Sequence, residues 1–270
     1  MNVFEAVVCG AVQGACEFLP VSSSGHLALL HSLFGFGGGL TFDIFLHLGT
    51  LCAVIIAFRR DVLALLIGIR DLIVKAIRGR FCDMFQTDRE KLIKAMFFAS
   101  VPLVFAAFIS DAVEKISAYP KAVGAALMIN GALLISSEMI RVGAKRCETQ
   151  SISGSFGTGL FQLAATVPGL SRSGTTIVGA KLFGMSSEEA VRFSFLLSIP
   201  AALGANIFGV FHIASSGETI EVVPYIAGTL CAAVSGLLAI GTIKRLAKSG
   251  NLRLFGVYCT VIGAVALIMG

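Results

Sequence analysis

Apolar residues fill this chain in blocks, and the blocks differ in length in a way that predicts two kinds of helix. The stretches 3–16 and 27–36 are apolar but shorter than the roughly 20 residues that carry a helix across a bilayer. Between them runs Glu17-Phe18-Leu19-Pro20-Val21-Ser22-Ser23-Ser24-Gly25-His26, with proline, serine and glycine where a membrane helix would otherwise continue. This pattern predicts a re-entrant helical hairpin with its tip at depth. It returns at 156–167 and 175–183, around Val167-Pro168-Gly169-Leu170-Ser171-Arg172-Ser173-Gly174-Thr175-Thr176. Longer apolar blocks at 41–58, 95–109, 121–140, 190–211, 222–243 and 252–269 predict six full spans. Residues 62–77 carry Arg70, Asp71 and Lys75 within an apolar pattern, which predicts a helix lying along the membrane surface.

The two interruptions match each other. Gln13 precedes Ser22-Ser23-Ser24-Gly25 at the spacing at which Gln162 precedes Ser171-Arg172-Ser173-Gly174. Gly10 stands to Gly159 in the same relation, and an offset of about 149 residues aligns every pair. Loops at 59–94, 141–155 and 244–253 are basic and go to the cytoplasm, whereas 111–119 and 212–221 are relatively acidic and go outside. Three full spans per half invert the second half relative to the first. The expectation is an all-α polytopic membrane protein, one integral domain over 1–270, with inverted-topology halves at about 1–141 and 152–270.

Composition agrees with that class. Hydrophobic residues make up 56% of the chain and charged residues 14%, with a mean hydropathy of +0.89. Soluble domains carry roughly 25% charge, so a soluble globular chain is excluded. The N-terminus has no basic segment and carries Glu5, so no cleaved signal peptide is expected. The net charge of +5 gathers between apolar blocks, where it sets topology, and no nucleic-acid partner is expected. Seven cysteines show no CxxC or Cys/His ligand spacing, so neither a disulfide framework nor a zinc site is expected.

The chemistry sits at the two tips. Ser22 or Ser23, and Ser171, are placed to cap the second helix of each hairpin, and a capped N-terminus presents N–H groups to an anion such as phosphate. Arg172 adds a charged fork suited to phosphate oxygens, and Ser173, Thr175 and Thr176 add hydroxyls. His26 lies one helical turn beyond Ser22 and Ser23, where it can serve a serine as base or orienter. Glu17 supplies a carboxylate able to hold a divalent cation or take a proton. A lone Ser/Gly/Pro cluster in a membrane helix is more often packing than catalysis. Two matched tips with complementary chemistry outweigh that, and together they point to phosphoryl chemistry. His47 reads as a packed polar residue early in a span, His31 and His212 as peripheral, and Asp43, Asn130, Glu138 and Asn206 as helix–helix glue or boundary residues.

At these stretches the chain closely resembles the bacitracin-resistance family of undecaprenyl-diphosphate phosphatases. The family's first signature reads here Gln13-Gly14-Ala15-Cys16-Glu17-Phe18-Leu19-Pro20-Val21-Ser22-Ser23-Ser24-Gly25-His26, and its second Pro168-Gly169-Leu170-Ser171-Arg172-Ser173-Gly174-Thr175-Thr176. Length, order of hairpins and the basic loop after the third helical segment also agree. The resemblance implies a hydrolase of the bacterial cytoplasmic (inner) membrane that removes the terminal phosphate of a C55 polyprenyl diphosphate. That activity recycles the cell-wall lipid carrier for peptidoglycan synthesis and underlies bacitracin resistance. It also implies a divalent cation such as Mg2+, an active site opening to the external side, and dimers as a possible assembly. Carried over by position, Glu17, Ser23, His26 and Arg172 are the catalytic set, with Ser23 as nucleophile and His26 its partner, or His26 itself the nucleophile. Ser22, Ser24, Gly25, Ser171, Ser173, Gly174 and Thr176 hold the diphosphate, and Glu17 with Gln13 would serve the metal. Gln13 stands where many members have a second Glu, and Ser24 where Thr is usual. The alternative function is a polyprenyl-phosphate transporter or flippase built on the same cradle, since inverted repeats with broken helices are common in carriers.

Overall fold

The computed structural model describes residues 1–36, 39–141, 143–216, 221–249 and 252–269. Residues 217–220 of the acidic loop, Glu218 among them, lie outside that set, and so does the placement of the His212 side chain. Among the described residues the chain is helical, with no strand beyond an isolated bridge between Lys145 and Met185.

Helices α1 (Val3–Phe18) and α2 (Ser23–Phe34) form the first short pair, and α8 (Ile152–Ala164) and α9 (Arg172–Leu182) the second. Between them run α3 (Leu40–Ala57), α4 (Arg59–Ile77), α5 (Asp88–Ser100), α6 (Ala106–Ser117) and α7 (Pro120–Ser136). After them come α10 (Ser187–Ser216), α11 (Val222–Ser249) and α12 (Arg253–Met269). Three stretches are long and apolar enough to cross a membrane: Pro120–Met139, Ser187–Ile207 and Val222–Leu246. Thr41–Ala57 and Arg253–Met269 are apolar but shorter.

Of the six predicted full spans, three correspond to these long stretches, two to the shorter apolar helices, and one is broken. Residues 95–109 are not one helix, because α5 ends at Ser100 and a 3-10 turn, Val101–Phe105, leads into α6. Pro102 lies at the start of that turn, where its missing N–H and ring clash favour a break, although α10 accommodates Pro200 in its interior. The amphipathic helix predicted at 62–77 starts earlier, at Arg59, directly after α3.

Helices distant in the chain pack together. α1 lies along α11, α3 lies against α11 and α10, and α7 lies along α12. In the other half α8 packs on α5 and α9, and α10 packs on α9, α3 and α5. Without water to drive helices together in a bilayer, such contacts depend on small residues that let backbones approach. Gly10 on α1 abuts the Gly228 carbonyl of α11, and Gly159 on α8 abuts the Ala99 carbonyl of α5, so each glycine lets a neighbouring helix backbone approach. Phe195 of α10 fills the centre, edge-on to Phe18 at 5.4 Å and to Phe58 at 5.7 Å between ring centroids. On the basic side Arg192 binds Asp61 at 2.7 Å and Glu148 at 2.8 Å, joining α10 to the start of α4 and to the turn before α8.

Because a side chain at Gly10 or Gly159 would strike a neighbouring carbonyl rather than a flexible chain end, Gly10→Val and Gly159→Val should each destabilise the protein by about 1–3 kcal/mol, the usual range for overpacking. Thermal melts in detergent check this, and an unchanged melting temperature in either variant would contradict the tight interface there.

Candidate functional site

Each tip forms because proline ends the first helix and serine starts the second. Leu19 precedes Pro20 and is extended, at φ −70° and ψ 143°, as a pre-proline residue should be. Ser22 then caps α2, its Oγ accepting the Gly25 N–H at 3.2 Å. Ser22 sits at φ 70°, a left-handed conformation that costs a non-glycine residue energy and marks a locally constrained tip. In the second tip Pro168 and Gly169, the latter at φ 101°, make a tight turn closed by Leu170 N–H to the Val167 carbonyl at 3.0 Å. Ser171 caps α9, with Oγ accepting the Gly174 N–H at 3.1 Å.

The tips touch each other. A Cβ on Gly25 would lie 3.1 Å from Gly169 Cα, and one on Gly174 would lie 3.1 Å from Pro20 Cβ. These contacts are repeat-equivalent, since the offset carries Gly25 to Gly174 and Pro20 to Gly169. Asn130 of α7, fully buried, ties the two together. Its Nδ2 donates to the Pro20 carbonyl at 3.1 Å and its Oδ1 accepts the Ser171 N–H at 3.0 Å.

A cavity of about 200 Å3 opens between the tips, lined by Glu17, Ser23, Ser24, His47, Ser171 and Arg172, with Cys16, Ala165, Thr166 and Leu170. Glu17 has a 6% exposed side chain and organises the polar groups. Arg172 Nη2 donates to its Oε1. Ser23 Oγ donates to its Oε2 at 2.6 Å, and Gln13 Nε2 donates to the same oxygen at 3.1 Å. Gln13 Nε2 also lies 3.1 Å from His47 Nδ1, which therefore accepts and leaves its proton on Nε2. Two groups are buried without a partner, Arg172 Nη1 and Gln13 Oε1. Buried polar atoms in native proteins are nearly always paired, and of these two residues Arg172 lines the cavity whereas Gln13 lies behind its wall.

The remaining expected site residues fall in three places. Ser171 and Ser173 pair through their hydroxyls at 3.1 Å, and Ser173 reaches the Leu19 carbonyl at 3.3 Å. Thr176 is buried behind the tip, with Oγ1 2.5 Å from Ser194 on α10, and does not line the cavity. His26 also stays off the cavity wall. Its Nδ1 donates to the Ser22 carbonyl at 2.7 Å, and its Nε2 accepts from the Tyr258 hydroxyl at 2.9 Å, the two rings lying parallel. His47 is the residue that sequence reasoning set aside. The cue lay in the polar His47 within the apolar run Phe45–Leu51, and only the fold shows that this face of α3 meets the first tip.

Replacing Asn130 by Leu leaves a buried carbonyl on one tip and a buried N–H on the other without partners. Each such loss costs about 1–3 kcal/mol. Asn130→Leu should therefore lower the melting temperature and the activity together. Asn130→Asp, which keeps the acceptor for Ser171, should lower both less.

Comparison with known proteins extends these observations along the chain. A family model described as "Bacitracin resistance protein BacA" matches residues 6–265. A protein of Methanosphaera stadtmanae named undecaprenyl-diphosphatase is 34% identical over 275 residues, covering 100% of this chain and 98% of the relative. Proteins of the same name from Rubrobacter xylanophilus and Korarchaeum cryptofilum are 38% and 37% identical, over 98% and 99% of this chain and 97% and 99% of their own lengths. With so much of its length matched by the model and by these relatives, the chain belongs to the bacitracin resistance protein BacA family.

Proposed function

We propose that the chain is a membrane phosphatase that removes the terminal phosphate of undecaprenyl diphosphate and leaves undecaprenyl phosphate for reuse as a cell-wall lipid carrier. One observation carries the reading. A single cavity holds a serine hydroxyl hydrogen-bonded to a carboxylate, beside a guanidinium with one nitrogen unengaged. The relatives' name supplies the substrate.

In this mechanism Arg172 Nη1 and the first N–H groups of α9 take the oxygens of the terminal phosphate. Ser23 Oγ attacks the terminal phosphorus, and its proton passes to Glu17 Oε2. The bond from phosphorus to the bridging oxygen breaks, and undecaprenyl phosphate leaves with that oxygen. Glu17 hands the proton to the departing monophosphate and becomes a carboxylate again. Water then attacks the phosphoserine and gives its proton to Glu17, which returns it to the seryl oxygen as orthophosphate leaves. His47, with its proton on Nε2, donates to the diphosphate from the opposite wall. His26 is a positioning residue that steadies the strained Ser22 through its carbonyl. Ser24 and Ser171 complete the polar wall around the phosphates, Ser173 backs Ser171 through its hydroxyl, and Gly25 and Gly174 permit the close approach of the tips.

The residues present fit a divalent cation such as Mg2+. The Glu17 carboxylate lines the cavity and is an oxygen donor, and such ions commonly take one carboxylate plus substrate phosphates and water; Gln13 Oε1, unpartnered, lies behind the cavity wall and would reach an ion only after moving. Among the described residues no cluster of three His, Cys, Asp or Glu side chains exists to hold an ion unaided. A bound cation would neutralise part of the diphosphate's charge. An almost wholly apolar groove between α3 and α10, lined by Ile44, Leu48, Leu51, Leu203 and Ile207, suits the prenyl chain, because His47 on the same stretch of α3 lines the polar cavity.

The architecture belongs to the same proposal. Paired contacts related by the repeat offset support two inverted halves, with α1–α2 and α8–α9 as re-entrant hairpins. The basic loops then face the cytoplasm and the cavity opens to the external side.

Ser23→Ala should lower phosphate release from undecaprenyl diphosphate at least about 100-fold while the protein stays folded, since it removes the attacking group. Arg172→Lys keeps the ion pair with Glu17 but loses the free nitrogen, and should lose a similar factor. Acid quenching with labelled terminal phosphate should trap label on the wild-type chain and none on Ser23→Ala. Full activity in Ser23→Ala would remove the serine nucleophile. A folded protein that binds the lipid yet releases no phosphate, with Mg2+ or with EDTA, would be a carrier instead.

The two histidines should separate. His47→Ala should lower kcat about tenfold or more with little change in melting temperature. His26→Ala should lower the melting temperature as well, because it frees the Ser22 carbonyl and the Tyr258 hydroxyl. The opposite pattern would exchange their roles.

A further inference from the structure

A second pocket, of about 350 Å3, lies on the face that carries the basic loops, where α5 passes the start of α8. Lys91 and Lys94, neighbours on one face of α5, line one side of it. Among the described residues neither lysine has a carboxylate within ion-pair reach; Lys94 Nζ rests over the Phe85 ring, 5.6 Å from its centroid. The opposite side is the first turn of α8, where Ser151 Oγ accepts the Gly154 N–H and the preceding N–H groups have no intrahelical acceptor.

Two further observations point to a ligand. Ser155, 0% exposed, lines this pocket, and its hydroxyl has no hydrogen-bond partner. Both polar atoms of the Gln150 side chain, on the same wall, are likewise buried and unpartnered. The lining carboxylate, Glu148, faces Arg192 at 2.8 Å through Oε1 and Arg146 at 3.4 Å through Oε2, the latter without a hydrogen bond, and makes no ion pair with either lysine. Two unneutralised cations, a helix N-terminus and unsatisfied hydroxyl and amide donors therefore surround one space. That donor set matches a tetrahedral dianion or a phosphodiester, with donors arriving from several directions.

We propose that this pocket is a second anion site, separate from the cavity at the tips, that binds one phosphate group. The chemistry is shared by free orthophosphate and by the headgroup of an anionic phospholipid, whose acyl chains could pass Phe85 and Phe98 at the pocket's edge.

The chain contains no tryptophan, so Phe98→Trp in the full-length protein places a sole reporter in the pocket wall. The variant is placed in nanodiscs of phosphatidylcholine and titrated with inorganic phosphate, then compared with nanodiscs containing phosphatidylglycerol. A saturable emission change in the first arm identifies free phosphate. A shift already present with phosphatidylglycerol, and insensitive to added phosphate, identifies the headgroup. In either case Lys91→Gln with Lys94→Gln should weaken binding about tenfold or more, and Ser155→Ala by a smaller factor. Phosphate release from undecaprenyl diphosphate should stay at the wild-type level in all three. No response in either arm, or a response that the paired lysine substitutions leave unchanged, overturns the proposal. Native mass spectrometry of the tryptophan-free protein gives an independent reading. Retention of phosphate or phosphatidylglycerol by wild type, and its loss in the double variant, is the expected result; equal retention by both overturns the proposal.

Discussion

A carboxylate and a guanidinium taken out of water must be matched inside the protein, and Glu17 and Arg172 meet that requirement across 155 positions of chain. Much else follows from their pairing. It needs two helix ends brought face to face in the protein interior, and buried helix ends need their own backbone groups satisfied. Ser22 and Ser171 do this locally, one hydroxyl per tip. Asn130 does it between tips, spending its donor on one and its acceptor on the other. The long helices then act as the wall that holds α7, and with it Asn130, at the right height, which is why α7 lies so closely along α12.

The two tips are related by one sequence offset, yet they carry opposite charges that face each other. The offset that carries Gly25 to Gly174 also carries Ser23 to Arg172, Glu17 to Thr166 and His26 to Thr175. A serine-capped helix start therefore occurs at both tips, with complementary side chains around it. One tip supplies the acid and the hydroxyl, and the other supplies the cation and a capped helix N-terminus. Gln13 and Gln162 show the same divergence. Gln13 turns one amide end to Glu17 and His47, whereas both polar atoms of Gln162 are buried without partners.

Much of this was legible in the sequence because the signals are local. Pro20, Pro168 and the serine runs end and start helices by short-range sterics and capping, and Gly10 with Gly159 marks the close approach of other helices. His47 was not legible. Nothing in the run Phe45–Leu51 distinguishes a histidine that packs from one that faces a cavity, because the difference lies in where α3 docks against α1 and α11. The break in the block 95–109 had a visible cue in Pro102, but hydrophobicity alone weighs every apolar residue equally and overrides it. Lys91 and Lys94 read as topology signals for the same reason. Their charge was legible, and the wall of α8 opposite them was not.

The ion pair also has a consequence for timing. Glu17 takes hydrogen bonds from Arg172, Ser23 and Gln13, so the carboxylate and the hydroxyl beside it are both already engaged. In the proposed mechanism a diphosphate entering the cavity would offer Arg172 a more highly charged partner, and one guanidinium nitrogen has no protein partner to give up first. If the guanidinium turned toward phosphate, Glu17 would keep Ser23 at hydrogen-bond distance while losing its ion-pair partner. On that reading the ion pair and the serine–carboxylate hydrogen bond are alternative uses of one carboxylate, and the arrival of phosphate would shift the balance toward the serine.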